Sequence, residues 1–266
     1  MSIVDFKNPP VIEVVLGVQF QRMEGLTNAH LGRFWSEELG ANEWPSVEDG
    51  DLIPYAQESF ESNTGWAPQQ FRLGFAAEGG ASRLLFRNEQ RDRLIQIQGS
   101  RFVYNWIRAK DIYPRFDAIE SEFFPQFDKF CKYVDTSTQE KVAPDLWEVT
   151  YVNHVPRGDL WETPADWYRV VPGLIPAIEP YGKTGFETSV GYWRSEIPPQ
   201  RGRLHIDVQC RHVGDQPTLV MKLTARGAIN EDIDLKAGLR MGHDAIVQSF
   251  TDLTSEEAHI KLWKRE

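Results

Sequence analysis

Twice along this chain a run of alternating strands gives way to one long amphipathic helix, and that double change of period limits the architecture more than any other feature. Phe102 to Arg108 alternates, with Phe102, Tyr104 and Trp106 on one face and Val103, Asn105 and Ile107 on the other. From Tyr113-Pro114 onward, Phe116, Ile119, Phe123, Phe127, Phe130 and Val134 fall on one helical stripe, which Pro125 is expected to kink or split. Later, Phe186 to Ile197, Arg203 to Val213 and Leu219 to Arg226 read as three alternating strands. They are followed by a helix from about Ile233 through Leu235, Leu239, Ile246, Phe250 and Leu253. One-faced strands and one-striped helices bury their apolar sides against each other, so the expectation is an α+β fold of antiparallel sheet covered by helices.

Each series has a matching opening. Val11 to Phe20 reads as a strand, followed by a helix that Asn28 would cap, Leu31, Phe34, Trp35 and Leu39 would pack and Gly40 would end. Ala41 to Asp51 reads as an acidic loop. Short strands are expected at Phe71 to Phe75, and at Leu84 to Arg87 and Leu94 to Gln98 around the turn Asn88–Arg93. Asp135 to Asp145 is polar and reads as a linker, after which Leu146 to Val155 is again a strand and Thr163-Pro164 starts a short helix. The order is therefore strand, helix, several antiparallel strands, helix, stated twice. Phe116-Asp117-Ala118-Ile119 with Phe123, and His243-Asp244-Ala245-Ile246 with Phe250, echo each other at an offset of 127, as do Glu13-Val14 and Glu148-Val149 at 135. These echoes predict an internal duplication, with a first half over 1–140 and a second over 141–266, packed as one compact unit.

Composition narrows the function. The formal charge is −10, the hydrophobic fraction 41 % and the aromatic fraction 12 %, enough apolar material for a sizeable core. No apolar run approaches the roughly 18 residues that span a bilayer, and MSIVDFKNPP lacks the basic-then-apolar pattern of a signal peptide, so a cytoplasmic protein is expected. Cys131 and Cys210 alone make neither a disulfide framework nor a thiolate zinc site. The chain holds no GxGxxG, GxxxxGK[ST], GxSxG, HExxH or CxxC pattern, so the sequence offers no cofactor, no metal and no catalytic residue.

The candidate binding residues are therefore polar groups set among apolar ones. Asn105 and Asn153 each interrupt an apolar strand, where an unpaired amide is costly. His243 sits on the apolar stripe of the last helix, where a neutral imidazole needs hydrogen-bond partners. His205 and Asp207, with Gln209 and Arg211, form a polar row on a strand; the row reads as the solvent face opposite Leu204, Ile206, Val208 and Cys210, and a metal or acid–base role is the sharper alternative. Arg101 belongs to Arg83–Arg115, a segment of eight bases interleaved with Phe86, Phe102, Tyr104, Trp106 and Tyr113. Such interleaving holds single-stranded nucleic acid only where the rings face solvent.

Four blocks carry a family resemblance. They are Asn8-Pro9-Pro10-Val11 with Glu13, Gly17-Val18-Gln19-Phe20 and Phe34-Trp35; Gln96-Ile97-Gln98 with Arg101-Phe102, Asn105-Trp106 and Tyr113-Pro114; Tyr151-Val152-Asn153; and His243 with Ile246, Phe250, Leu253-Thr254, His259 and Trp263. In that order and spacing the chain resembles a sporadically distributed, uncharacterised prokaryotic family of about this length. The resemblance implies a bacterial or archaeal protein, is compatible with mobile or defence-related cargo, and supplies no catalytic residue.

Three functions follow, in descending order. The first is non-enzymatic binding of a protein partner, antitoxin- or immunity-like, through the acidic run Glu43 to Glu61, which holds six acids and no base. The second is a small-molecule binder or enzyme with its site between the halves, where Asn105 and His243 would converge. The third is nucleic-acid binding through 83–115, disfavoured by the net negative charge.

Overall fold

The computed structural model of the chain describes residues 5–58, 60, 82–109, 113–175, 177 and 190–266. The strand expected at Phe71 to Phe75 and the start of the one expected from Phe186 lie outside these residues.

Among the described residues the architecture is mixed α+β around one antiparallel sheet of nine strands. In chain order these are β1 Val11–Phe20, β2 Ser46–Gly50, β3 Arg83–Arg87, β4 Arg93–Gln98, β5 Arg101–Ile107, β6 Pro144–Pro156, β7 Val190–Ile197, β8 Gly202–Val213 and β9 Gln216–Ala228. They lie side by side as β2-β3-β4-β5-β1-β6-β9-β8-β7. The two opening strands, β1 and β6, thus pair at the centre, with Val14 opposite Tyr151 and Leu16 opposite Val149. On its other side β1 sets Val14 opposite Trp106 and Leu16 opposite Tyr104.

Alternation decides the two faces. Val14, Leu16, Val18 and Phe20, with Phe102, Tyr104, Trp106, Trp147, Val149 and Tyr151, are buried beneath helices α2 Phe116–Thr138 and α3 Leu235–Leu253. The rings interlock across the layer: Phe102 lies within 5.4 Å of both Phe127 and Phe130, centroid to centroid. Arg240 of α3 ties the helices together through Glu120 Oε2 at 2.5 Å and Asp117 Oδ1 at 3.1 Å. The opposite face carries Gln19, Arg101, Asn105 and Thr150, all buried although polar.

Several boundaries depart from the sequence reading. α2 is one unbroken helix with Pro125 inside it, on its exposed side. Phe116, Ile119 and Phe123 before the proline and Phe127, Phe130 and Val134 after it are all buried, so packing holds the helix together despite the missing N–H. α2 also runs through Thr138 and ends at Gln139 with φ 58°, which shortens the expected linker to residues 139–143. Helix α1, Asn28–Phe34, is capped by Thr27 and not by Asn28. Thr27 has the extended backbone of a cap and gives its N–H to His30 Nδ1 at 3.3 Å, while Asn28 Nδ2 donates to Ser82 Oγ at 2.7 Å. The expected acidic loop contains β2, an edge strand whose exposed Glu48 pairs with Arg87 Nε at 3.4 Å.

After α3 come a short turn of helix, α4 Glu256–Ala258, and a π-turn over His259–Trp263. This tail returns to the leader: Asn8 N donates to Trp263 O at 2.9 Å and Lys7 N to Lys264 O at 3.0 Å. Phe6 then packs on Phe250, His259 and Trp263 at 5.9, 5.1 and 6.0 Å.

Candidate functional site

The closed leader forms one wall of a cavity of about 330 Å³ on the helix side of the sheet. Phe6, Pro9, Val11, Phe116, Ile246 and Phe250 supply most of its apolar lining; Tyr113, Tyr151, Asn153 and His243 supply uncharged polar atoms, and Asp5, Arg115 and Asp117 charged ones. Asn153 shares a strand face with Tyr151 by period-two alternation, and both are buried. His243 reaches the same place from α3, where its spacing from Leu239 and Ile246 sets it on the sheet-facing stripe. Leu239, Ile246 and Phe250 are fully covered as the stripe predicts; His243 is half-buried, because one side of its ring borders the cavity.

Three of these groups form a chain. Tyr113 Oη lies 2.9 Å from Tyr151 Oη, which lies 2.9 Å from His243 Nδ1. The imidazole stacks on Phe116 at 4.2 Å between centroids and 9° between planes. Burial pushes its pKa down to about 4, so the ring is neutral near pH 7. Burial also pushes the Tyr113 hydroxyl up to about 12 and Tyr151 well above the usual phenol range. Nδ1 is engaged, and Nε2 has no hydrogen-bond partner among the described residues. Asn153 Nδ2 donates to Met221 O at 3.2 Å. At the rim, Arg115 pairs with Asp5 and donates from Nη1 to Phe6 O at 3.1 Å.

The other sequence candidates occupy the opposite face. Asn105 gives Nδ2 to Glu13 Oε1 at 2.6 Å and accepts from Gln96 Nε2 at 2.9 Å, so it does not meet His243. Arg101, 3 % exposed, donates to Gln19 Oε1 at 2.9 Å and pairs with Glu148 at 3.4 Å. His205 departs from the solvent-face reading of its row, whose far end, Arg211, is exposed: His205 is 7 % exposed, because residues 51–58 cross that face and set Glu58 Oε1 2.7 Å from its Nε2. Tyr192 Oη lies 2.5 Å from its other ring nitrogen. Phe86, Phe102, Tyr104 and Trp106 are buried, so the segment 83–115 does not offer these rings for base stacking.

Sequence reading missed Tyr113, Tyr151 and Glu58. Tyr151 was visible as the neighbour of Asn153 on one strand face; Tyr113 and Glu58 carry no local signal, since their partners come from distant elements. Among the described residues, no group of three or more His, Cys, Asp or Glu is placed to hold a metal ion, and no helix is long and apolar enough to cross a membrane.

No protein-family profile matches the sequence, and no curated protein does. Among solved structures, the chain is similar over 91 % of its length to 96 % of DynU16, described as a protein in the dynemicin biosynthetic locus, at 10 % identity and a TM-score of 0.25. A likeness that slight decides nothing about fold or chemistry, and the site stands on its own geometry.

Proposed function

We propose that the chain binds a small, largely apolar molecule carrying one hydrogen-bonding group, in the cavity between the leader, α3 and β6. The observation that carries this reading is the Tyr113–Tyr151–His243 chain ending in a cavity-lining imidazole whose Nε2 has no partner among the described residues. A half-buried neutral imidazole with an open nitrogen gives a ligand orientation, and the phenyl walls give it burial. On this reading His243 holds the ligand: its Nδ1 is engaged by the Tyr151 hydroxyl, which burial keeps protonated, and its Nε2 faces the ligand. The binding-protein class favoured by the sequence is kept, with a small molecule in first place; a macromolecular partner belongs to the other sheet face.

The test is a thermal-shift series with indole, p-cresol and cyclohexanol. A ligand at a hundred times its Kd adds about 2.7 kcal/mol of stability. The proposal requires a saturable shift that is lost in His243→Ala and weakened in Tyr151→Phe. Shifts that survive both substitutions would place the ligand elsewhere.

The duplication of 1–140 and 141–266 belongs to the same proposal. It is supported by the equivalent orders β1-β5-β4-β3 and β6-β9-β8-β7, with β5 leading into α2 and β9 into α3. The Asp-Ala-Ile echo adds little, because Asp117 lies in the first turn of α2 whereas Asp244 lies midway along α3. Superposing 10–134 on 145–254 checks it. Membership of the sporadic prokaryotic family is proposed on the sequence blocks, and a cytoplasmic location is proposed with it.

A further inference from the structure

Residues 51–58 lie across the polar sheet face in the manner of a bound peptide. They belong to no helix or strand, and among the described residues they make no backbone–backbone hydrogen bond. Side chains of the sheet take their place. Gln98 pairs with both main-chain groups of Ile53, accepting from its N–H at 2.9 Å and donating to its carbonyl at 2.8 Å. Gln19 does the same at Ala56, at 2.7 and 2.8 Å. Arg101 Nη2 lies 3.4 Å from the Pro54 carbonyl. Gln19 is 1 % exposed and Gln98 3 %, so both amides are built into the sheet surface and aimed at this segment.

The segment ends in a charged seat. Glu58, its side chain 4 % exposed, meets Arg226 Nε at 2.5 Å, His205 Nε2 at 2.7 Å and Arg203 Nε at 3.2 Å. Burial alone would raise this carboxyl; the hydrogen bonds from His205 and Arg226 outweigh it and hold the group below the usual carboxylate range. Arg203, His205 and Arg226 come from β8 and β9, so the seat exists in the sheet independently of the segment that fills it.

We propose that this face is a recognition groove for an extended acidic segment of a partner protein, and that residues 53–58 occupy it as an internal competitor. Two amides that pair with main chain three residues apart, and an Arg–Arg–His seat two residues further on, read a peptide: Gln98 and Gln19 read main chain at the positions of Ile53 and Ala56, and the seat reads one carboxylate. A free oxyanion would fill only the seat and leave the two glutamines with their sheet neighbours alone, Arg101 and Asp145 for Gln19 and Ser100 for Gln98, so the four bonds to main-chain groups would be lost; a peptide therefore fits the observations better than a small anion. The groove lies on the opposite face from the His243 cavity, so the proposal is independent of ligand binding there.

The probe is a fluorescein-labelled synthetic peptide copying residues 52–58. Glu58→Gln weakens the internal competitor and leaves the seat intact, so this variant should bind the peptide at least about tenfold more tightly than the wild-type chain. A peptide ending in Gln in place of Glu should bind that variant at least about tenfold more weakly, as should the peptide on Glu58→Gln/Arg203→Met. In wild-type protein, saturating peptide should speed amide hydrogen exchange at Ile53 and Ala56, a readout that stands even if the Glu58 variant folds poorly. Equal affinity for wild type and Glu58→Gln, or unchanged exchange at saturating peptide, overturns the proposal. So would protection by inorganic phosphate alone, or dimerisation of the wild-type chain without peptide binding, since each names a different occupant.

Discussion

Gly238 of α3 lies flat against Trp147 of β6, so closely that a Cβ at Gly238 would stand 2.3 Å from the indole Cδ1. Gly242, one turn on, meets the same ring, with its Cβ position 2.7 Å from Cζ3. Trp147 is wholly buried at the sheet centre, so it has nowhere to move. The two glycines let α3 approach the sheet at the point where β6 and β9 pair.

Gly238→Ala therefore destabilises the protein, by about 1–3 kcal/mol, even though alanine is the better helix former by roughly 1 kcal/mol. Gly32→Ala in α1 is the control, because nothing lies within 4 Å of its Cβ position; it should stabilise by about 0.5–1 kcal/mol. Urea unfolding of both variants measures the contrast, and equal signs would show that the approach of α3 to Trp147 is not tight.

His243 should make stability fall with acid. Its pKa in the folded chain is about 4 against 6.5 for the free side chain, so below pH 6.5 the unfolded chain binds the proton first. The loss begins near pH 6.5, grows down to about pH 4 and levels off below it. His243→Ala should cost roughly 1–3 kcal/mol at pH 7 through the lost packing on Phe116. Relative to wild type that cost should shrink between pH 6.5 and 4, which paired denaturation curves at the two pH values will show.

Asn105 is a structural residue on this geometry. Asn105→Ala leaves Glu13 and Gln96 without the partners they have at 2.6 and 2.9 Å, and should cost about 1–3 kcal/mol. Ligand binding on the helix side should be unchanged in the folded fraction. A lost thermal shift in Asn105→Ala with its fold intact would contradict the assignment of the two faces.

Pro125→Ala restores a backbone N–H in the middle of α2 at an exposed position. It should stabilise by about 1 kcal/mol or more, less than the roughly 3 kcal/mol of a straight helix, because α2 already accommodates the ring. A destabilised variant would mean that the bend imposed by the proline is needed for the stripe to fit the sheet.

Much of the fold was legible because strands and helices report themselves locally. The alternation of Val11–Phe20 gave the bounds of β1, and the stripe Phe116 to Val134 named six buried residues of α2 but not Glu120 and Tyr133, which are buried too. His243 and Asn153 were found as polar groups among apolar ones, a signal that burial makes costly. What alternation cannot give is which of two sheet faces is covered, or by what. The row beginning at His205 reads as a solvent face by pattern, as it is at Arg211, and only the crossing of residues 51–58 buries His205.

The sequence by itself determined the period of the long elements, the apolar side of most strands and of both long helices, and hence an α+β sheet under two long helices. The tertiary structure decided the site. Phe6, Tyr113, Tyr151 and His243 are far apart along the chain, and no spacing rule relates them. They meet because the antiparallel pairing of β1 with β6 sets Val14 opposite Tyr151, and because the tail at Trp263 draws the leader across the mouth of the cavity. Local periodicity is fixed by backbone geometry over a few residues; the meeting of distant side chains is fixed by strand register and by the docking of chain ends, which depend on the whole packed core at once.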